Sequence, residues 1–350
     1  LTARFTLSID AMGGNAAPKM VVDGVALAAQ KHSGVDFLLF GDEDKIAPLV
    51  RENSGLADRV RIRHTLEVVV DTDKPSTALR TRRNSSMRLS INAVAEGEAA
   101  GVVSAGNTGA LMVMAMFVLK TLNGIDRPAI AGVFPTARGQ SVMLDLGANV
   151  ESDADNLVQF AVMGEVFARR VLGVQSPSVG LLNVGVEELK GHDDVKRAAA
   201  ILQGSGLPIR FHGFVEGDDI AAGTVDVVVT DGFTGNIVLK SIEGTAKMFV
   251  RFLKDALGGS LTAQMGALLA RPALHRFRDR IDPRRYNGAM LLGLNGVCVK
   301  SHGGTDAFGF ANAINVACKL IADRLNEGIK EDLAGLGGHS LPMGEASVGS

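Results

Sequence analysis

Short runs of β-branched and apolar residues alternate with helix-length amphipathic segments almost throughout the chain, and no other feature restricts the fold as much. This βαβα order specifies a mostly parallel α/β sheet with helices on both faces, because each crossover must return the chain to the same end of the sheet. The segments FTLSID, DFLLFG, VRIRHT, GVVSAG, AIAGVF, SVMLDL, SVGLLNV, IRFHGF, VDVVVTD and GVCVKS read as strands. Helices are expected near residues 18–30, 76–99, 108–120, 153–172, 192–203, 234–257 and 305–328. A stretch around 245–285 leaves the rhythm and reads as a protruding helical element. No Pro/Gly/Ser-rich linker and no internal repeat divides the chain, so residues 1–334 are expected to form a single domain. From Gly335 the sequence GLGGHSLPMGEASVGS lacks periodicity, and 335–350 is expected to be a flexible tail.

Composition excludes several function classes. Lys and Arg total 36 against 38 Asp and Glu, so no general basic field suits nucleic acid. No signal peptide leads the chain and no apolar run reaches the ~18 residues of a membrane span, so a cytoplasmic chain that does not cross the membrane is expected. Leu1 in place of Met suggests a trimmed or renumbered start. Cys298 and Cys318 form neither a CxxC pair nor a disulfide framework. Glycine is abundant, 42 of 350 residues against the ~7% of ordinary chains, which favours tight turns that bring backbone close to a ligand.

Three glycine-rich turns follow apolar strands and lead into helices. They are DAMGGN (Asp10, Gly13, Gly14, Asn15), SAGNTG (Ser104, Gly106, Asn107, Thr108, Gly109) and DGFTGN (Asp231, Gly232, Thr234, Gly235, Asn236). In parallel sheets ligands bind beyond the carboxyl ends of strands, where backbone N–H groups and helix dipoles converge on anions, so the turns are candidate phosphate cradles. Any one of them alone is better read as a plain strand-to-helix connection, and the occurrence of three together favours the cradle. None is GxGxxG with an acid about 20 residues on, and none is GxxxxGK[ST], so dinucleotide and P-loop sites are disfavoured.

Side chains add to these cradles. In KPSTALR, Pro75 holds Lys74 extended, Ser76 can cap the next helix, and Lys74 and Arg80 can grip phosphate; solvated charges on a capped surface helix are the plainer reading. Lys190, in NVGVEELKG, can polarise a carbonyl, although from spacing alone a surface pair with Glu187 or Glu188 is the better reading. His302, in KSHGG, is the histidine best placed near a site. The strand-end acids Asp10, Asp145 and Asp231 suit turn capping better than a cation, the seven histidines show no zinc spacing, and neither metal nor cofactor is expected. With no GxSxG elbow and no Cys–His pairing in sequence, nothing requires a covalent acyl-enzyme.

In order, the blocks IDAMGGN, DKPSTALR, RNSSM, SAGNTGALM, GIDRPAI, LDLGAN, GLLNVGVEELKG, VEGDDI, DGFTGNIVLK and YNGAMLLGLNGVCVKSHG resemble the phosphate acyltransferase family called PlsX over about residues 5–328. The resemblance implies a fold shared with isopropylmalate dehydrogenases and phosphotransacetylases, a homodimer, and transfer of a long acyl chain from acyl carrier protein to inorganic phosphate. It further implies peripheral association with the cytoplasmic membrane and delivery of acyl phosphate to a downstream glycerol-phosphate acyltransferase in phospholipid synthesis. By the same resemblance Lys190 and Asn236 are the catalytic candidates. Asn15, Ala16, Asn84 and Asp218 depart from the family's usual Asp, His, Asp and Arg, which removes an acid at 15 or 84 as a base. A short-chain enzyme using acyl-CoA, an NAD-dependent dehydrogenase and a non-catalytic lipid or carrier-protein scaffold are the rival readings.

The protruding element has its own pattern. Phe249, Phe252, Leu253 and Ala256 recur at helical spacing, Gly258 and Gly259 break the helix, and Leu261, Met265, Leu268 and Leu269 form a second apolar face. Pro272 starts a third piece. From Arg251 to Arg285 there are eight basic residues, among them Arg271, Arg276, Arg278 and Arg280, against three acidic ones. An apolar tip with a cationic rim suits an acidic carrier protein or an anionic membrane, and suits equally a hairpin used up in dimer packing.

Overall fold

The computed structural model describes residues 4–53, 55–207 and 209–336. Strands are β1 (Phe5–Asp10), β2 (Val35–Gly41), β3 (Val60–His64), β4 (Gly101–Ser104), β5 (Ala129–Pro135), β6 (Gln140–Leu144), β7 (Ser178–Leu182), β8 (Arg210–Val215), β9 (Val227–Val229), β10 (Ala289–Leu292) and β11 (Val297–Lys300). Helices are α1 (Lys19–Lys31), α2 (Glu43–Glu52), α3 (Pro75–Thr81), α4 (Ser86–Ala95), α5 (Thr108–Leu119), α6 (Ala154–Val171), α7 (Asp193–Gly204), α8 (Gly217–Ala222), α9 (Gly232–Gly258), α10 (Leu261–Leu269), α11 (Arg271–Ile281), α12 (Ala307–Ala322) and α13 (Leu325–Leu336). Of the expected tail, residues 337–350 lie outside the described residues.

One eleven-stranded sheet runs in the order β3-β2-β1-β4-β11-β10-β5-β6-β9-β7-β8. Seven of the described pairings are parallel. The three antiparallel ones lie together at the centre, where β10 pairs with β11 and β5, and β5 with β6. The expected mostly parallel α/β architecture is therefore the observed one. Along the strands the side chains alternate between the two faces of the sheet, as the two-residue pleat requires, and Leu38 and Phe40 of β2 form a small separate cluster with α4. Leu7, Ile9, Val103 and Val299 enter one core with α1, α6 and α12, while Val102, Cys298 and Met143 enter the other with α4 and α5.

Several expected boundaries are corrected. β10 went unrecognised because its four residues give too short a pattern to separate from a turn. The helix expected over 76–99 is two, since Ser85 accepts the Arg88 amide at 3.3 Å and starts α4 afresh. Ser76 is not a cap: Lys74 holds the cap position, and Pro75, whose φ suits the first helical turn and which lacks an N–H, starts α3 one residue earlier. The helix expected over 305–328 breaks at Arg324, which has a φ of 50°. α2, which carries Pro48 inside it, also went unread.

The end of β6 is secured by one carboxylate. Asp145, fully buried, accepts the amides of Ile130 at 2.9 Å, Gly147 at 3.1 Å, Ala148 at 2.9 Å and Asn149 at 2.6 Å, and the Asn149 carboxamide at 2.9 Å. Asp145→Ala strands several of these buried donors, so urea unfolding is expected to show a loss of about 3–5 kcal/mol. A loss below about 1 kcal/mol would contradict this role for Asp145.

Candidate active site

Asp10, Ser104 and Lys300 end three adjacent parallel strands, β1, β4 and β11, and the pairing of Lys300 with Ser104 and of Ile9 with Val103 puts them in one row across the sheet. All three follow the parity of the core that contains Val102 and Cys298, so they share a face. Asp10 is buried; its Oδ2 accepts the Ser104 hydroxyl at 2.7 Å, and its Oδ1 accepts the Ser86 hydroxyl at 2.7 Å and the Met12 amide at 3.3 Å. Burial pushes its carboxyl above the usual carboxylate range, against the hydrogen bonds that favour the charged form. Ser104 Oγ also accepts the Gly106 amide at 3.1 Å.

The first two glycine turns interlock above this row. A Cβ on Gly13 would stand 2.6 Å from Asp10 Oδ2 and 2.7 Å from the Gly106 nitrogen, so only glycine lets the turns close. Gly14 has a φ of 101°, and the Asn15 amide donates to Gly303 O at 2.9 Å, which ties the DAMGGN turn to the loop after β11. His302 in that loop is exposed; its Nδ1 accepts the Gly304 amide at 3.0 Å, and its own amide donates to Asn287 Oδ1 at 2.9 Å. The Nδ1 acceptor leaves Nε2 as the protonated ring nitrogen. Asn107 caps α5 through Ala110 at 2.9 Å and holds Asp71 O at 3.0 Å, while a Cβ on Gly109 would meet Pro75 at 2.7 Å. Lys74 and Ser76 are exposed beside this rim, and Arg80 Nε donates to Ser76 O at 3.2 Å. The amides of Gly13, Gly14, Thr108 and Gly109 reach no acceptor among the described hydrogen bonds.

The third turn lies elsewhere. β9 stands six strands from β1 in the sheet order and runs opposite to β1 in strand sense. The DGFTGN amides are also engaged, Gly232 to Asn149 O at 2.7 Å, Thr234 to Asp231 Oδ1 at 2.8 Å and Gly235 to Asp231 O at 3.0 Å. Asn236 sits beside the Gly147 turn, half-buried, and its carboxamide makes none of the described hydrogen bonds.

Lys190 follows β7, next to β9 in the sheet. Its Nζ lies 2.8 Å from Glu187 Oε1 with both side chains more than half exposed, the surface pair that spacing favours. This partner raises the lysine's affinity for its proton. Asn183 shapes the loop by donating to Gly185 O and Lys190 O, each at 3.0 Å.

On the protruding element Leu261, Met265, Leu268 and Leu269 are 80%, 69%, 68% and 85% exposed, so within this chain the tip's apolar face is uncovered. Arg271, Arg276 and Arg278 are exposed around it; the side chain of Arg280 lies outside the described ones. No helix among the described residues is long and apolar enough to cross a membrane. Sequence reasoning missed Lys300, Ser86 and Asn149. The first carried a usable signal, a lysine ending an apolar strand.

A family model described as "Fatty acid synthesis protein" matches residues 5–327. The phosphate acyltransferase of Rhodospirillum centenum is 62% identical over 336 residues, covering 96% of this chain and 95% of that protein. That of Rhodospirillum rubrum is 61% identical over 328 residues, covering 94% of each. Among solved structures, a phosphotransacetylase from Streptococcus pyogenes aligns with a TM-score of 0.61 at 16% identity, over 93% of this chain and 94% of its own. A phosphotransacetylase from Staphylococcus aureus gives 0.56 at 17%, over 92% and 95%, which at such identity speaks for the fold alone. With the sequence matched nearly end to end, the chain belongs to the phosphate acyltransferase family of fatty acid synthesis proteins.

Proposed function

We propose that the enzyme transfers a long-chain fatty acyl group from the thioester of acyl carrier protein to inorganic phosphate. The observation that carries this reading is the pair of interlocked glycine turns over the Asp10 row, whose unused amides suit an oxyanion, in a chain whose relatives are phosphate acyltransferases. A phosphate oxygen attacks the thioester carbonyl carbon, the C–S bond breaks, and the carrier's thiolate leaves and takes the proton lost by phosphate. No protein nucleophile enters. Lys190 stabilises the carbonyl oxyanion with the two ammonium N–H groups that Glu187 leaves over, and Asn236 orients the substrate with its open carboxamide.

An acidic carrier protein fits the rim of the cradle. Arg80 and Arg83 bond only backbone carbonyls, at 3.2 Å each, and Arg88 lies over the Phe117 ring at 5.0 Å; none has a carboxylate partner among the described residues. Arg83 and Arg88 flank Ser86, whose hydroxyl touches Asp10. The enzyme acts as a cytoplasmic homodimer held peripherally on the membrane through its exposed tip, and passes acyl phosphate to a glycerol-phosphate acyltransferase. At ~1 kcal/mol per basic residue near an anionic surface, with a few inserted leucines, the tip supports reversible binding.

Hydroxylamine trapping tests the reaction: palmitoyl-carrier protein plus phosphate should yield acyl hydroxamate only when phosphate is present. Preference for acetyl-CoA would replace the donor, and no hydroxamate from either would leave a binding scaffold. Lys190→Ala is expected to lower the turnover rate about 10²- to 10³-fold, the cost of one oxyanion donor. Turnover near the wild-type rate would remove Lys190 from the chemistry. The double substitution Leu261→Glu and Leu268→Glu should abolish sedimentation with anionic vesicles and keep activity on soluble carrier protein. Unchanged sedimentation would take the tip off the membrane, and dissociation to monomers would assign it to dimer packing.

A further inference from the structure

Lys300 is a mostly buried lysine at the carboxyl end of β11, and its position is fixed by the sheet. It pairs with Ser104 across the β4–β11 ladder, so its side chain shares the row and face of Ser104 and Asp10 beneath the two glycine turns. Its ammonium donates to Ser301 O, and no carboxylate among the described residues forms an ion pair with it. A lysine has three donors, so two are left for another acceptor. Burying an ammonium without a close counter-ion is costly, and the usual compensation is a bound anion or loss of the proton.

We infer that Lys300 is the cationic anchor of the phosphate site, binding the acceptor oxyanion from below while the Gly13, Gly14, Thr108 and Gly109 amides bind it from above. The inference rests on phosphate being the acyl acceptor and adds the residue that supplies the charge. The groups around Lys300 are Asp10 from β1, Asp71 from the loop before α3 and Cys298 from its own strand. Asp10 has its carboxylate committed to Ser86, Ser104 and Met12, so it attracts the ammonium without neutralising it by contact. Burial brings the Lys300 pKa down to about 8, and the three neighbouring groups act in the opposite sense. The free site therefore loses its charge as pH rises through about 8, and phosphate binding should weaken with it.

The test is calorimetric titration of the whole enzyme with inorganic phosphate alone, with no acyl donor present, over an alkaline range in which phosphate stays the dianion. Wild-type affinity is expected to fall as pH rises through about 8. Lys300→Met should weaken binding at neutral pH about 10- to 100-fold, the effect of one lost charged hydrogen bond, and flatten the pH dependence. Lys300→Arg should bind phosphate with no fall over that range, because guanidinium keeps its proton. Wild-type affinity in Lys300→Met, or a flat wild-type profile should that variant fail to fold, would overturn the inference. Hydroxamate formation from the wild-type enzyme, measured separately, shows whether a failure belongs to Lys300 or to the acyltransfer reading itself.

Discussion

Each half of the sheet depends on a buried carboxylate at the end of a strand. Asp10 closes β1 by gripping Ser86 of α4, Ser104 of β4 and its own turn, and Asp145 closes β6 by collecting backbone amides from β5 and the LGAN loop. In both, desolvation raises the carboxyl pKa and hydrogen bonds oppose the rise. The acceptors are few and the donors many, so each carboxylate fixes a loop that no apolar contact would hold in one shape. The glycine turns can then close on those loops. A Cβ on Gly235 would fall 1.8 Å from Asp145 O, and one on Gly13 would reach Asp10, so backbone replaces side chain where the cradles touch.

Much of the architecture is legible in the sequence because parallel strands buried on both faces are continuous apolar runs and their crossovers are amphipathic helices. The centre of the sheet is not. β5, β6 and β10 meet antiparallel, and nothing in AIAGVF or AMLL reports the direction of a partner that lies far away in sequence. The same limit applies to the candidate site. That DAMGGN and SAGNTG each suit an anion can be read locally, whereas the strand order that joins those two and sets DGFTGN apart is a long-range property. Ser76 shows a local failure: a serine after Lys-Pro looks like a cap, and the proline had already started the helix.

Lys300 and Lys190 show how a lysine's surroundings decide its chemistry. In sequence Lys190 stands out by its loop, and in the fold it is exposed and paired with Glu187, which keeps it charged. Lys300 ends an unremarkable apolar strand, and the fold sets it beside Ser104 of β4 in the row that Asp10 ends, with Asp10 and Asp71 near enough to act on its charge. Exposure screens the first from its partner, so its pairing contributes little, while the second feels every nearby charge through a poorer dielectric.

The protruding element follows from the same economy of contacts. α9 is anchored by its first two turns, where Gly232 and Gly235 are buried against the Asp145 loop and Val238 and Leu239 pack on the core, and then runs outward for the rest of its 27 residues. Beyond that anchor the chain offers it little to pack on, so Phe249, Phe252 and the α10 leucines remain exposed, while the basic residues stand among them with few acidic partners. Within the chain its packing partner out there is α10, so the far part of α9 is ordered by its own backbone hydrogen bonds and by this helix pair, and the apolar residues that the pair leaves over face solvent.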